Sequence, residues 1–368
     1  MSNNKHILEV CLSPDLGGLE LYMSRCAKEL LATFNVTSVI ASRSKLLDYF
    51  HNTDLEYEQL KRKSSFSIVA SMKLAKIIDK KGIDIIHLHW TKDIPIVVFA
   101  KLFSKRKPKI VQTRHMTMTR FKNDFYHKFL YRHIDTILCV TKQVEQQIQA
   151  FVPQEICPKT QTLYLGANSM KMLSNQEITA FKEELNVGDA FMIGLIGRIN
   201  EFKGQHLLIE ALKILKAKQL NVKAYIVGHA MSETYLEKLK QHVHENELEE
   251  QITFVGFTKE PQKFMQACDV VLMTSRNETF GLVTIEAMKC GTAVIGANSG
   301  GVLEIIDDEK SGLLFESGNA ADLATKIEQL YNNEDLKEKL AFAGKQKADT
   351  MFDNSVQFEK LKDIFKQL

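Results

Sequence analysis

Two carboxylates, Glu278 and Glu286, stand eight positions apart in the segment Ser275-Arg276-Asn277-Glu278-Thr279-Phe280-Gly281-Leu282-Val283-Thr284-Ile285-Glu286. The apolar run from Asp269 to Met273 reads as a buried parallel strand, and helical spacing begins near Leu282. Glu278 therefore falls in a strand-to-helix turn and Glu286 inside the following helix. Thr279, Phe280, Gly281 and Leu282 span the start of that helix, where unpaired backbone N–H groups and partial positive charge suit a phosphate. The bland alternative makes Glu278 a solvated loop charge and Glu286 a first-turn residue favoured by the helix dipole. A second segment weighs against it. Phe191 to Leu212 reads as strand, turn and amphipathic helix, with Gly197, Arg198 and Lys203 in the turn. A forked guanidinium beside a point-charge ammonium, at the carboxyl end of a parallel strand, matches a diphosphate.

The elements needed to hold these groups recur along the chain. In the first half, strand-like apolar runs occupy Ile7 to Leu12, Val36 to Ala41, Ile83 to Leu88, Lys109 to Thr113, Thr136 to Val140 and Thr162 to Leu165. In the second they occupy Met192 to Ile196, Lys223 to Val227, Ile252 to Val255, Val270 to Met273, Ala293 to Gly296 and Leu313 to Phe315. Helix-patterned segments separate them, most plainly Leu19 to Phe34 and Ile68 to Lys80. Alternating βα units predict an α/β protein with two doubly wound, parallel-sheet, Rossmann-like domains, and 368 residues are enough for two cores. Gly166-Ala167-Asn168-Ser169 interrupts the pattern and marks the join. Several candidates fall at strand ends of the first half. The loop with Gly17 and Gly18 follows the first strand, His89 and Trp90 follow Ile83 to Leu88, and His115 follows Lys109 to Thr113. The glycine loop lacks the G-x-G-x-x-G dinucleotide fingerprint, which argues against a dehydrogenase. Trp90 offers a flat apolar face for a sugar.

Taken together, these segments resemble the retaining glycosyltransferases of the GT-B fold that carry a Glu, seven residues, Glu motif (glycosyltransferase family four, group 1 type). The resemblance runs from Gly17-Gly18 to the terminal helix and is strongest in the second half. It implies two domains facing a cleft: 1–168 for the acceptor, with 353–368 crossing back to it, and 169–352 for the nucleotide-sugar donor. It implies that Arg198 and Lys203 hold the leaving diphosphate, that Glu278 binds sugar hydroxyls and that Glu286 binds the ribose. His115 matches the family's histidine beside the transferred sugar, and His89 and Trp90 fall where an acceptor would lie. By the same resemblance the Gly17-Gly18 loop closes over the donor phosphates, and Gly256 and Phe257 frame the nucleobase edge. The sequence departs from the family pattern at Ala293, where proline is frequent, and at Gly166-Ala167, which replaces an Asn-Gly step. Neither change removes a proposed contact. The expected activity is transfer of a hexose or N-acetylhexosamine from a nucleoside diphosphate sugar, UDP-linked by family frequency with GDP next. The expected acceptor is a lipid-linked glycan in polysaccharide or lipopolysaccharide assembly. A non-catalytic nucleotide-sugar-binding partner of another transferase and a soluble transferase with a small acceptor are the alternatives.

Composition sets the surroundings. Apolar residues at 45% and charged residues at 25% are ordinary for a globular chain. The longest apolar candidate, Ile94 to Phe103, is too short to span a bilayer and contains Lys101. No cleavable leader pattern precedes Ile7, so a cytoplasmic protein is expected, peripheral at the inner face of the cytoplasmic membrane. The six cysteines are scattered, and no His-Glu-x-x-His or similar ligand spacing occurs. Catalysis without metal or cofactor is therefore expected. Charge divides the chain. Residues 1–170 hold 25 Lys and Arg against 15 Asp and Glu, and the remainder holds 23 against 30. From Lys101 to Arg132 there are ten basic residues and one acidic one, Asp124, interleaved with Phe103, Phe121, Phe125, Tyr126, Phe129 and Tyr131. Such a face suits an anionic membrane surface, a single-stranded nucleic acid or plain solvent. No RNA-binding signature accompanies it, so the membrane is preferred and no nucleic-acid partner is expected.

Overall fold

The computed structural model describes residues 4–51, 53–62 and 64–368. Among the described residues thirteen strands alternate with helices, and the chain divides into two compact units, Met1–Tyr164 with Gln357–Leu368, and Leu165–Val356. The first unit holds β1 (His6–Cys11), β2 (Asn35–Ala41), β3 (Tyr57–Leu60), β4 (Ile85–Leu88), β5 (Lys109–Arg114), β6 (Thr136–Cys139) and β7 (Lys159–Thr162). They form one parallel sheet in the order β3-β2-β1-β4-β5-β6-β7. The second unit holds β8 (Phe191–Ile196), β9 (Val222–Val227), β10 (Ile252–Gly256), β11 (Val270–Met273), β12 (Ala293–Ala297) and β13 (Leu313–Phe315), in the order β10-β9-β8-β11-β12-β13, also parallel.

Inner strands such as β4 (Ile-Ile-His-Leu) and β11 (Val-Val-Leu-Met) are buried at every position, as strands covered on both faces must be. Their apolar runs made them legible. The edge strands were not. β3 (Tyr-Glu-Gln-Leu) carries no apolar run and was missing from the sequence reading, and β7 (Lys-Thr-Gln-Thr) ends where the expected strand Thr162 to Leu165 begins. An edge strand is half solvated, so polar side chains are tolerated there. Helix ends follow local chemistry. The helix Ile68–Lys81 starts where Ser67 accepts from Ala70 N at 3.3 Å and stops at Gly82 in the left-handed region. Ser174 and Glu177 form a capping box at the start of the helix Asn175–Glu184.

Residues 165–168 do not hang free between the units. Ala167 N donates to Phe352 O at 2.9 Å and Asn354 N donates to Ala167 O at 3.1 Å, which ties them into the second unit. The last helix, Asn354–Gln367, gives its residues from Gln357 onward to the first unit. There Phe358 stacks on Tyr22 and Phe365 meets Phe34 and His87. All six cysteines are free thiols, five of them buried. Among the described residues no helix is long and apolar enough to cross a membrane.

Candidate functional site

In the second unit, sheet order reverses between β8 and β11, and each releases its chain there at its carboxyl end, the place where open α/β sheets take ligands. The loop after β8 presents Arg198 to solvent and then turns through Glu201–Lys203, capped by Asn200, which accepts from Phe202 N at 3.0 Å. The loop after β11 brings Glu278 to the same place, with Lys203 Nζ 2.5 Å from Glu278 Oε2. Both loops are held from behind. Thr274 Oγ1 donates to Lys203 O at 2.6 Å, and buried Gln205 donates through Nε2 to Arg198 O at 3.0 Å. Two sequence-distant charges thus share one rigid corner.

The Glu278 loop is braced on its other side by the turn before the short helix Val302–Ile305. Gly301 N donates to Glu278 O at 2.9 Å and Ser299 Oγ donates to Arg276 O at 2.9 Å. Gly300 has φ +61°, and a Cβ there would stand 2.3 Å from Glu278 O, so only glycine allows this approach. The helix Leu282–Lys289 begins at Gly281 with no side-chain cap, and Thr284 N donates to Gly281 O at 3.0 Å, which leaves the N–H groups of Leu282 and Val283 for a ligand or water. Phe280 is buried with its ring edge against Phe352, while Thr279 and Leu282 remain partly exposed. Glu286 is the fifth residue of that helix, past the first turn, and partly exposed. The dipole-favoured reading of Glu286 therefore loses its basis. Gly197 follows β8, Gly256 ends β10, and Phe257 projects into solvent. Between them lies Gly228, which sequence reading missed. At φ +148° its Cβ would stand 1.9 Å from Gly197 O, and the only visible signal was a glycine closing an apolar strand.

In the first unit the candidate groups collect at the ends of β1, β4 and β5. Register sets Glu9 of β1 beside His87 of β4. Glu9 is fully buried, with Oε1 2.9 Å from His87 Nδ1 and Oε2 2.6 Å from His89 Nε2. His87 Nε2 meets Thr113 Oγ1 at 2.7 Å, and His89 Nδ1 faces His115 Nε2 at 3.5 Å. Burial pushes the Glu9 carboxyl up, but His87 and His89 more than offset this and hold it below the ordinary value. Burial, with His87 beside it, brings His89 down to about 4 despite Glu9. His115 is lowered too, by burial and then by His89, His87, Arg114 and Arg25. At neutral pH an ionised Glu9 thus accepts from His87 Nδ1–H and from the neutral imidazole of His89, and His89 Nδ1 is left as acceptor for His115 Nε2–H. The remaining His115 nitrogen, Nδ1, is then an acceptor for a hydroxyl. Glu9 was not singled out from sequence, although a lone carboxylate inside the apolar run Ile7 to Leu12 was its signal.

Several expectations need correction here. His89 does not line an acceptor surface, because its side chain is wholly buried behind His115 and held by Glu9. Trp90 stays partly exposed, but its ring already carries the Arg62 guanidinium 4.2 Å from the centroid, with Lys92 Nζ at 5.3 Å, which leaves less apolar face for a sugar. Gly17 and Gly18 do open the helix Gly18–Leu30 without a side-chain cap. The buried carboxylate of Glu20 lies in its first turn, however, and competes with any anion there. Cys26, His87 and His89 have ligand-type atoms within 4.8 Å of one another. Both imidazoles are already engaged with Glu9, and Tyr22 pairs with Cys26. The basic stretch is partly neutralised as well. Lys101 and Lys109 pair with Asp135 at 2.8 and 3.0 Å, Arg106 with Asp84, and Lys128 approaches Glu155 at 3.9 Å.

Comparison with known proteins follows this geometry. Residues 176–347 match the family of glycosyl transferases group 1, and residues 9–141 match the glycosyl transferase 4-like family. The chain is 23% identical over 343 residues to the capsular polysaccharide biosynthesis glycosyltransferase CapM of Staphylococcus aureus, covering 89% of this chain and 88% of that one. It is 26% identical over 302 residues to the N-acetylgalactosamine-N,N'-diacetylbacillosaminyl-diphospho-undecaprenol 4-alpha-N-acetylgalactosaminyltransferase of Campylobacter jejuni, covering 79% and 77%. Its fold is similar to that of Alr3699/HepE of Anabaena in complex with UDP, with a TM-score of 0.87 at 22% identity over 99% of this chain and 100% of that one.

Proposed function

The chain belongs to the group 1 glycosyl transferases with the GT-B architecture, and from that premise we propose that it transfers a hexose or N-acetylhexosamine, with retention of configuration, from a UDP-sugar to a lipid-linked glycan. The observation that carries the donor half is the pairing of Lys203 with Glu278 beside the uncapped helix start at Gly281, with Arg198 exposed on the same loop as Lys203. Two cations and a row of backbone N–H groups match a diphosphate, and the carboxylate beside them matches sugar hydroxyls. UDP bound by the Anabaena neighbour supports a uridine nucleotide, and the diphospho-undecaprenol in the Campylobacter relative's name supports a lipid-linked acceptor.

The chemistry follows from those groups. In the unliganded chain Lys203 neutralises Glu278. When a diphosphate arrives, the three hydrogens of the ammonium let it serve phosphate and carboxylate together, so Glu278 stays aligned for the sugar ring. As the glycosidic bond breaks, negative charge grows on the leaving phosphate, and Arg198 and Lys203 stabilise it more than they stabilise the ground state. The leaving phosphate takes the proton of the attacking hydroxyl on the same face, which preserves anomeric configuration. Glu286 holds the ribose. His115, neutral with an acceptor nitrogen, receives a sugar hydroxyl.

A membrane-borne acceptor is supported by apolar side chains exposed in the first unit at Phe66, Ile68, Val69, Met72, Phe103, Phe121 and Phe125. Beside the remaining basic residues they suit shallow insertion at a bilayer surface. The reading is tested by thermal shift against UDP-, GDP- and ADP-sugars, then by nucleoside diphosphate release with a lipid-linked acceptor extract. Protection by one UDP-sugar, release, and a product with the donor's configuration are expected. A product of inverted configuration would overturn retention, and absence of any nucleotide protection would overturn the donor site.

A further inference from the structure

A cavity of about 300 Å³ in the first unit has a lining rich in positive charge: Lys92, Arg120, Lys122 and His127, with Thr91 and Tyr126. Among the described residues no carboxylate lines it. The acids nearest along the chain are engaged elsewhere: Asp93 pairs with Arg62 at 2.8 Å and accepts from Leu12 N at 2.8 Å, and Asp124 Oδ2 stands 2.5 Å from His127 Nδ1. Among the described residues Arg120 and Lys122 form no ion pair, although four other basic residues of the same stretch do. Behind the cavity lies Arg114, only 6% exposed. Its guanidinium is held by Thr91 Oγ1 at 2.9 Å, Met116 O at 2.7 Å and Thr117 O at 3.0 Å, with no carboxylate to offset its charge. Burial draws Lys122 below the ordinary ammonium value, repulsion from Arg120 and Arg114 draws it further, and Asp124 offsets this only in part. Cations gathered around a hollow with their repulsion unrelieved favour occupation by an anion.

Exposed aromatic residues stand next to lining residues along the chain. Ser65, at one edge, is followed by exposed Phe66, and Arg120 and Lys122 flank Phe121, which is 63% exposed. Phe125, one residue before Tyr126, is 87% exposed. An inorganic anion would leave these rings in water, whereas a phosphate carrying a hydrocarbon chain would cover them.

We propose that this cavity binds the phosphate or diphosphate head of the lipid that carries the acceptor glycan, with the adjoining hydrocarbon lying over Phe121 and Phe125. The assignment rests on the lipid-linked acceptor reading and gives it a location. It requires neither Arg198 nor Lys203, whose diphosphate belongs to the donor.

The test uses the full chain with UDP in excess, so that the donor diphosphate site is filled. Calorimetric titrations compare farnesyl diphosphate, inorganic diphosphate and farnesol, for the wild type and for the double variant R120E/K122E. Both positions are at least partly exposed, and circular dichroism together with UDP binding checks that the variant folds. Farnesyl diphosphate should bind about tenfold or more tightly than either fragment, and the variant should lose about tenfold or more, since each charge-assisted contact is worth at least that factor. Equal affinity of variant and wild type would overturn the proposal. So would inorganic diphosphate binding as tightly, which marks a free-anion site, or displacement by phosphatidylglycerol vesicles, which marks a phospholipid headgroup site. Failure of UDP to bind counts against the donor reading alone, because the farnesyl diphosphate comparison is read independently of it.

Discussion

Lys203 and Glu278 hold one another at 2.5 Å, so removal of either leaves the other uncompensated in a partly buried corner. Arg198→Ala or Lys203→Ala should each cost about 2 to 4 kcal/mol of transition-state stabilisation, read as a fall in kcat/KM with the matching donor. Glu278→Ala should lower kcat, whereas Glu286→Ala should chiefly raise the donor KM. The double variant K203A/E278A should lose less than the two single losses combined, because contacting residues couple. Simple additivity in that cycle would show that the pair does not act as a unit. The histidine cluster makes a second prediction. His89 titrates at about 4 in the fold against 6.5 for a free imidazole, so its folded value is depressed. Its contribution to stability is complete above pH 6.5 and is lost as pH falls toward 4. Glu9, also depressed, acts in the same direction below the ordinary carboxyl range. Asp93 opposes them. Burial raises it to about 7, so its contribution is largest at low pH and is lost as pH rises through 7. The wild-type profile mixes these terms, and comparison with His89→Gln isolates one of them. Between pH 6.5 and 4 the variant's unfolding free energy should fall less steeply, by up to about 1.4 kcal/mol per pH unit. Parallel denaturant-derived profiles would remove His89 as the titrating group.

At the scale of elements, the Lys203–Glu278 corner depends on loops that approach more closely than side chains permit. Gly228→Ala would drive a Cβ into Gly197 O, and its φ of +148° strains any L residue. A loss of about 3 kcal/mol in unfolding free energy is expected, readable by denaturant melts. Gly300→Ala acts differently. It would push on Glu278 O from a turn outside the sheet, so nucleotide affinity should fall more than stability. A variant that binds UDP as the wild type does would show that the Glu278 loop is not set by this brace. The inner strands and their helices were readable from continuous apolar runs and caps. The edge strands β3 and β7 were not, because a strand open on one side needs no apolar run to be stable.

At the scale of the molecule, opposite net charges on the two halves of the sequence first pointed to a membrane-facing first unit. Folding changed which residues can act there. Lys101, Arg106 and Lys109 pair with Asp135 and Asp84, so reversing Lys105, Arg106 and Lys107 would break an ion pair as well as alter the surface. The sharper variant is F121S/F125S. It should weaken cosedimentation with anionic vesicles about tenfold or more, since burying each ring is worth about 1.5 to 3 kcal/mol. Salt should weaken the wild type further. Vesicle binding unchanged in this variant would remove the aromatic rings from the docking surface.

The sequence by itself determined the two parallel-sheet units, the loops after β8 and β11, and the types of group in them, because apolar periodicity and turn residues act over a few positions. It could not pair Lys203 with Glu278, 75 residues away, or show that Gly300 supports the same loop. Nor could it tell a histidine with both ring nitrogens engaged or enclosed from one with a ring nitrogen left unbonded among the described residues. His89 and His115 looked alike as strand-end residues, and only the placement of Glu9 from a neighbouring strand separates them. Burial and partner choice depend on which strands lie side by side, and sheet order is a property of the whole unit: a buried charge must find its partner across strands, wherever the chain brings one.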